Sequence, residues 1–298
     1  MTIKWKLKIL LKRVFSLVFS KNPNIINDVN FTMIIYRIIF NRKLNLESPK
    51  TFNEFISYIK LNNIDEKQSI YVDKYQVRDY IKSTIGNEYL VNLIGIYDCV
   101  DELDFNSLPN SFVLKCTHAS GFNFVVMNKD KINQFKVKLK LKEWLNTNYY
   151  YYMRERQYIN IIPRIICEDL LFNIDGTPIN EVKLFCFNGN VGFLTDNFEF
   201  NKRRFSNLYD RDLKFLNIKY GFENNKSLIN NKNLSEFINI AEKLSKPFTF
   251  VRVDLYYVNN KIYFSELTFC PGGGMTPFIP DSFDYSLSKY FYSSLEEK

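Results

Sequence analysis

The chain has 298 residues with 46% hydrophobic and 17% aromatic content, enough to bury a large core in one big domain or two modest ones and too apolar for a disordered polypeptide. Its formal charge of +8 and pI near 9.0 suit an anionic partner. No block of Lys and Arg interleaved with aromatics and no zinc-finger, homeodomain or RNA-recognition signature is present, which argues against nucleic acid.

The opening stretch, MTIKWKLKILLKRVFSLVFS, is interrupted by Lys12 and Arg13, is followed by no small-residue cleavage site, and is too short for a membrane span of about 20 apolar residues. Leu7, Leu10, Leu11, Val14 and Val18 fall on one face of a helix, with Lys4, Lys8, Lys12 and Arg13 elsewhere around it. That pattern permits a core-capping helix or a peripheral contact with a membrane surface, and the core-capping reading is preferred. Residues 26–62 and 71–85 read as helical. The first clear strand is SFVLKC (111–116), and NFVVMN (123–128) pairs with it across the loop THASGF. A helix follows at about 131–147, then strands near 163–172, 181–188 and 190–195, with Asn188-Gly189 as a hairpin turn. After an irregular, charged stretch, residues 233–246 form an amphipathic helix, and 248–258 and 261–269 a final hairpin across Asn259-Asn260. The order predicts an α+β chain with antiparallel sheets.

Five cysteines, Cys99, Cys116, Cys167, Cys186 and Cys270, are odd in number and lack C-x-x-C spacing, so they read as reduced core or near-site residues of a cytoplasmic protein. With one histidine, His118, structural zinc is disfavoured.

The final hairpin carries charges inside apolar runs. Alternation puts Arg252 and Asp254 on one face, Val251, Val253 and Leu255 on the other, and Glu266 and Thr268 on a shared face of the partner strand. Asp254 and Glu266 can therefore converge, and two half-buried carboxylates need a cation. Hard oxygen ligands select Mg²⁺, which takes its remaining ligands from water and substrate phosphates. The competing reading is a structural salt bridge from Arg252 to one of the acids. Lys115 closes the strand before THASG, whose Ser120 and Gly121 allow backbone N–H groups to approach a phosphate. Walker A and Rossmann glycine patterns are both absent. His118 is either a phosphate or substrate contact, with acid–base capacity, or a satisfied loop residue. Arg203 and Arg204 suit a carboxylate or phosphate, though adjacent strand residues point oppositely and only one can face a site. The aromatic run 148–158 reads as packing.

DKYQVRDYI (73–81), FVLKCTHASGFNFVV (112–126), PRIICEDLL (163–171), EVKLFCFNG (181–189) and FVRVDLYYVNNKIYFSELTFCPGGG (from 250 to Gly274), in this order and spacing, resemble the TupA-like branch of the ATP-grasp superfamily, associated with teichuronopeptide and bacterial capsule synthesis. The resemblance covers roughly residues 45–285. It implies an ATP-grasp fold, with two α+β subdomains whose antiparallel sheets clasp ATP behind a helical N-terminal segment. The boundaries expected are 1–70 for that segment and 71–298 for the ATP-grasp region, divided at about 108–172 and 173–285.

By the same resemblance Lys74, Lys115 and Lys183 contact ATP, with Ser120 and Gly121 in the phosphate loop. Glu168, Asp169, Leu170 and Leu171 form the adenine hinge. Asp254 and Glu266 are Mg²⁺ ligands, and Arg252 lies beside the γ-phosphate. Read from the residues themselves, Gly272 and Gly273 close over the site and one of Arg203 and Arg204 faces the substrate. The family usually reads E-x-N at its last metal site, whereas Glu266-Leu267-Thr268 places a hydroxyl there. The implied reaction activates a carboxylate, on a uronic acid or acidic group of a cell-surface polysaccharide precursor, and joins it to an amino acid or small amine. A sugar or glycolipid kinase and a non-catalytic ATP-binding module in capsule assembly are the alternatives. The implied location is the cytoplasm, at the inner face of the membrane for a membrane-bound acceptor.

Overall fold

The structure, a computed structural model, describes residues 3–62, 67–226 and 234–291. Its N-terminal third is helical but not continuously so. Helix α1 (Ile3–Lys21) leads through a tight turn into α2 (Asp28–Phe40), which Asn27 caps by accepting a hydrogen bond from Asn30 N at 2.8 Å. The expected helix 26–62 is split because Asn41 turns left-handed at φ 56° and Pro49 follows. The chain re-enters a helix at α3 (Phe52–Asn62) through a capping box: Glu54 N donates to Thr51 Oγ1 at 3.2 Å, and Glu54 Oε2 accepts from Thr51 N at 3.2 Å. Helices α4 (Gln68–Val72) and α5 (Val77–Thr84) replace the expected 71–85, separated by a turn in which Asp73 accepts from Tyr75 N and Gln76 N.

Strand β1 (Leu93–Tyr97) was not expected; its five residues are all half-buried and do not alternate. It joins β2 (Phe112–Cys116), β3 (Asn123–Val126) and β4 (Ile165–Asp169) in an antiparallel sheet of order β1-β4-β2-β3. Helices α6 (Gln134–Leu145) and α7 (Tyr150–Met153) lie between β3 and β4 in sequence. One sheet face buries Phe112, Leu114, Cys116 and Cys167 with Val137 and Leu141 of α6 in a core of its own. The register pairs Lys115 with Ile166 and Val113 with Glu168, so both charges lie on the opposite face.

A second, six-stranded antiparallel sheet has the order β11-β10-β5-β6-β7-β8, from β5 (Asn180–Phe187), β6 (Asn190–Phe200), β7 (Arg203–Asp210), β8 (Phe215–Leu216), β10 (Phe250–Val258) and β11 (Lys261–Thr268). Short β9 (Lys219–Tyr220) pairs with β12 (Phe278–Ile279), ahead of α9 (Ser282–Ser286). The stretch after residue 195, expected to be irregular, is the β6–β7 hairpin: Asn201 and Lys202 both take positive φ, 50° and 59°, a turn matched to strand twist. The turns expected at Asn188-Gly189 and Asn259-Asn260 have the same form. Helix α8 (Leu234–Ser245) lays Phe237, Ala241 and Leu244 against the β5 and β10 face bearing Leu184, Cys186, Val251 and Val253. Asn233, first residue of the expected helix, lies outside the described residues.

A third cluster joins Phe31, Ile35, Tyr36 and Ile39 of α2 to Met275. Here the preferred reading of α1 is corrected. Leu7, Leu10, Leu11, Val14 and Val18 do not cap the core; each is about half exposed, and α1 turns Phe15, Ser16 and Phe19 toward the protein instead.

Candidate functional site

The two sheets meet along β11, and the charges gather there. Register sets Asp254 opposite Glu266 and Arg252 opposite Thr268, while β5 places Lys183 beside Asp254 on the other side. Arg252 holds Asp254 in a two-pronged pair, Nε to Oδ1 and Nη2 to Oδ2, both at 2.6 Å. The same Nη2 reaches Glu266 Oε1 at 3.3 Å and Thr268 Oγ1 at 3.1 Å. Lys183 Nζ donates to Asp254 Oδ2 at 3.0 Å and pairs with Glu181 Oε2 at 2.9 Å. Burial would raise the Asp254 pKa, but Arg252 and Lys183 outweigh it and hold the carboxyl below its ordinary value. Burial opposes the charge on Lys183 and Arg252, and Asp254, joined by Glu266, more than restores it, so both are raised. Burial raises Glu181, opposed by Lys183.

On the facing sheet, Glu168 accepts from Lys115 Nζ at 2.7 Å and Arg78 Nη1 at 2.8 Å. Burial opposes the charge on Lys115, and Glu168 more than restores it. Lys74 lies at the same junction; burial lowers its pKa, and its ammonium donates to the Ala119 carbonyl in the loop 117–121. Thr117 pins that loop, its N–H bonding Arg164 O at 2.9 Å, whereas Ser120 and Gly121 are exposed at the tip, Gly121 with φ 75°. Lys74, Arg78, Lys115, Glu168, Phe264 and Ser265 line a cavity of about 20 Å³ between the sheets. A purine needs far more room, so nucleotide entry there requires the sheets to part.

Not all expected site residues gather. His118 is 3% exposed, its Nε2 at 3.1 Å from Trp144 O and its ring edge-on to Phe122, while its buried Nδ1 makes no hydrogen bond; one ring nitrogen is tied to the loop and the other is left open. Burial lowers its pKa. Asp169 sits on the sheet face opposite Glu168, exposed, with its N–H bonded to Asn92 O at 3.1 Å; Leu170 and Leu171 follow, half-buried. Arg203 and Arg204 are exposed at the β6–β7 tip, where Phe200 pairs with Arg203 while Thr195 pairs with Lys183. At about 3.3 Å per residue they stand roughly 16 Å along the strand from the acidic pair and do not join it. Gly272 and Gly273 adopt φ 58° and 65° in the turn after β11, where Lys60 Nζ donates to Gly273 O at 3.2 Å.

Sequence reasoning missed Arg78 and Glu181, the partners of Glu168 and Lys183. Both lay within or beside the quoted stretches, and Glu181 shares a strand face with Lys183 by simple alternation.

Among the described residues no three His, Cys, Asp or Glu side chains gather as a ready-made metal cage. Asp254, Glu266 and the Thr268 hydroxyl offer oxygens only, a donor set that fits Mg²⁺ completed by water and phosphate. Their present partners, Arg252 and Lys183, show that the pair already demands positive charge.

The sequence matches the family described as TupA-like ATPgrasp over residues 54–292. No curated protein sequence matches it. Among solved structures it is similar to D-alanine–D-alanine ligase from Bacillus anthracis, at 16% identity over 68% of this chain and 58% of that one, with a TM-score of 0.43. The D-alanine–D-alanine ligase of Helicobacter pylori gives 14%, 74%, 63% and 0.39 in the same order. N5-carboxyaminoimidazole ribonucleotide synthetase from Thermus thermophilus gives 8%, 67%, 45% and 0.38. The chain spans less than two thirds of the length of each.

Proposed function

Starting from a chain that belongs to the TupA-like ATP-grasp family, with its α+β fold of antiparallel sheets behind a helical N-terminal segment, we propose an ATP-dependent carboxylate–amine ligase. The observation that carries this reading is the carboxylate pair Asp254 and Glu266, registered across β10 and β11 at the junction with Lys74 and Lys115. Nucleotide phosphates set between these groups would meet cations on one side and metal-binding oxygens on the other.

In the proposed reaction the γ-phosphoryl of ATP passes to a substrate carboxylate. The amine then displaces phosphate from the acyl phosphate and loses a proton, giving an amide, ADP and inorganic phosphate. Lys115, Lys74 and Lys183 balance the charge spread over the phosphoryl oxygens, and Arg252 orients it from the acidic pair. Glu168 positions Lys115. Ser120 and Gly121 supply loop N–H groups, and the hinge residues 168–171 border the base. Asp254, Glu266 and Thr268 would hold Mg²⁺, which when bound neutralises phosphate charge. No protein nucleophile is needed.

The proposed carboxylate is a uronic acid or acidic group of a bacterial cell-surface polysaccharide precursor, and the amine an amino acid or small amine. The proposed setting is the cytoplasm, where ATP is held, toward the inner face of the membrane. A coupled ADP assay on UDP-linked uronic acids, with and without an amino acid mixture, tests the reaction. ADP release should need both substrates, and carboxylate alone should leave at most an acyl phosphate that hydroxylamine traps. Full turnover without amine, with a hydroxylamine-resistant phosphorylated product, would replace the ligase with a kinase.

A further inference from the structure

Helix α1 lies outside the matched family region, yet it forms one wall of a cavity that reaches toward the site. That cavity, of about 470 Å³, runs from Lys12, Arg13 and Leu17 of α1 to Tyr149 and to Met275 and Thr276, just past the glycine turn. The Tyr149 hydroxyl lies close enough to Ser120 to feel its side chain, so the inner end of the cavity abuts the loop 117–121. Its walls are mainly apolar and aromatic, and Lys12 is a cation set among them, its pKa lowered to about 8 by burial and by Lys60.

The outer side of α1 is the mirror of this arrangement. Leu7, Leu10, Leu11, Val14, Leu17 and Val18, spaced at i, i+3, i+4 and i+7, are 47 to 56% exposed. Side chains so placed form one stripe, and this one faces solvent. Lys6, Arg13 and Lys21 stand exposed around it, and no acidic residue occurs before Asp28. Leu17 belongs both to the stripe and to the cavity wall, and Arg13 to the cavity wall and the stripe's basic border, so the mouth of the cavity opens at the edge of the stripe. A second copy of the chain is a poor occupant, because it would set one basic helix against another. Among the described residues no helix is long and apolar enough to cross a membrane, so the stripe suits a surface and not a span.

We propose that α1 seats the protein on an anionic phospholipid surface, and that the cavity beneath α1 receives an acceptor presented by that surface. The first half rests on the stripe and its charge alone; the second also rests on the ligase reading. It gives the N-terminal helix a task in acceptor delivery: the apolar stripe enters the headgroup boundary, the lysines and arginine meet lipid phosphates, and Arg13 and Leu17 lie where an amphiphile would pass from bilayer to site.

Sedimentation with vesicles tests it. The full chain should pellet with vesicles of 30% phosphatidylglycerol in phosphatidylcholine and stay in solution with phosphatidylcholine alone. Leu10→Ser combined with Val14→Ser, both outward-facing, should keep the wild-type melting temperature and ATP affinity and lower vesicle partitioning at least tenfold. In a Cys99→Ser background, an environment-sensitive dye on Leu17→Cys should shift to the blue on vesicle addition, and one on Asn201→Cys, at the β6–β7 tip, should not. Equal pelleting of the double serine variant would show charge attraction alone, and either that or no lipid-dependent pelleting would overturn the proposal. So would a concentration-dependent dimer abolished by the double variant in place of vesicle binding, or an unshifted Leu17→Cys dye. Vesicle binding needs no ATP, so a protein that pellets but does not bind ATP removes the ligase reading and the delivery role, leaving the lipid contact standing.

Discussion

Asp254 and Glu266 carry the same charge and oppose each other across one hairpin, yet they are held differently. The Asp254 side chain is fully buried between Arg252 and Lys183, whereas that of Glu266 is 33% exposed. Asp254→Asn strips buried Arg252 of its two-pronged partner, leaving it Glu266 and Thr268 while half-buried Lys183 keeps Glu181, and should cost about 3 kcal/mol. Glu266→Gln should cost no more than about 1 kcal/mol. Both should abolish turnover, so denaturant titration beside an ADP assay separates scaffold from chemistry; equal stability losses would refute this division. The pKa of Asp254 is lowered on folding, so its contribution is present above the unfolded carboxylate value of about 3.9 and is lost as pH falls through the lower folded value. Melting temperature should therefore drop on acidification below about pH 4, and drop less steeply in Asp254→Asn. Lys115→Ala should weaken ATP binding at least about tenfold by calorimetry. Its stability loss should stay near 1–2 kcal/mol because Arg78 still serves Glu168. Unchanged affinity in both Lys115→Ala and Lys183→Ala would remove the phosphate site from this junction.

At the level of elements, what could be read in advance was what local rules govern. The β10–β11 hairpin, its Asn259-Asn260 turn and the facing of Asp254 with Glu266 follow from alternation over long strands. β1 escaped notice because Gly95 and its even half-burial erase alternation, and β7 because two adjacent arginines and an Asn-Lys turn resemble a charged loop. The Glu168 clamp on Lys115 and Arg78 joins residues 53 and 90 positions apart, beyond the reach of any local rule. The helix 26–62 was misread across Asn41 and Pro49, although Thr51 and Glu54 spell a capping box. Thr51→Ala should cost about 1 kcal/mol, and Lys60 at the far end of α3 would lose some of its hold on Gly273. A stability change below about 0.3 kcal/mol in chemical denaturation would show that Pro49 and packing alone set the helix start.

The whole molecule is built on separate cores: the four-stranded sheet packs on α6 and shares no buried core residue with the six-stranded sheet and α8. With only about 20 Å³ beside Lys115, a nucleotide bound at this junction as proposed would have to be admitted by moving one sheet relative to the other. A nucleotide that then binds both should raise stability by mass action, by about 2.7 kcal/mol at a hundredfold excess over its dissociation constant. Thermal shift with Mg²⁺ and ATP should show this in the wild type and lose it in Glu266→Gln. Independent packing also sets how the protein breathes. Amides in 112–116, 123–126 and 165–169 should exchange with deuterium together, through an opening that spares 182–187 and 251–255, and ATP should slow the first group by far the more. Uniform protection of both groups would mean that the sheets open only with global unfolding; graded protection would make the smaller lobe a yielding jaw, closing on a larger one that stays folded.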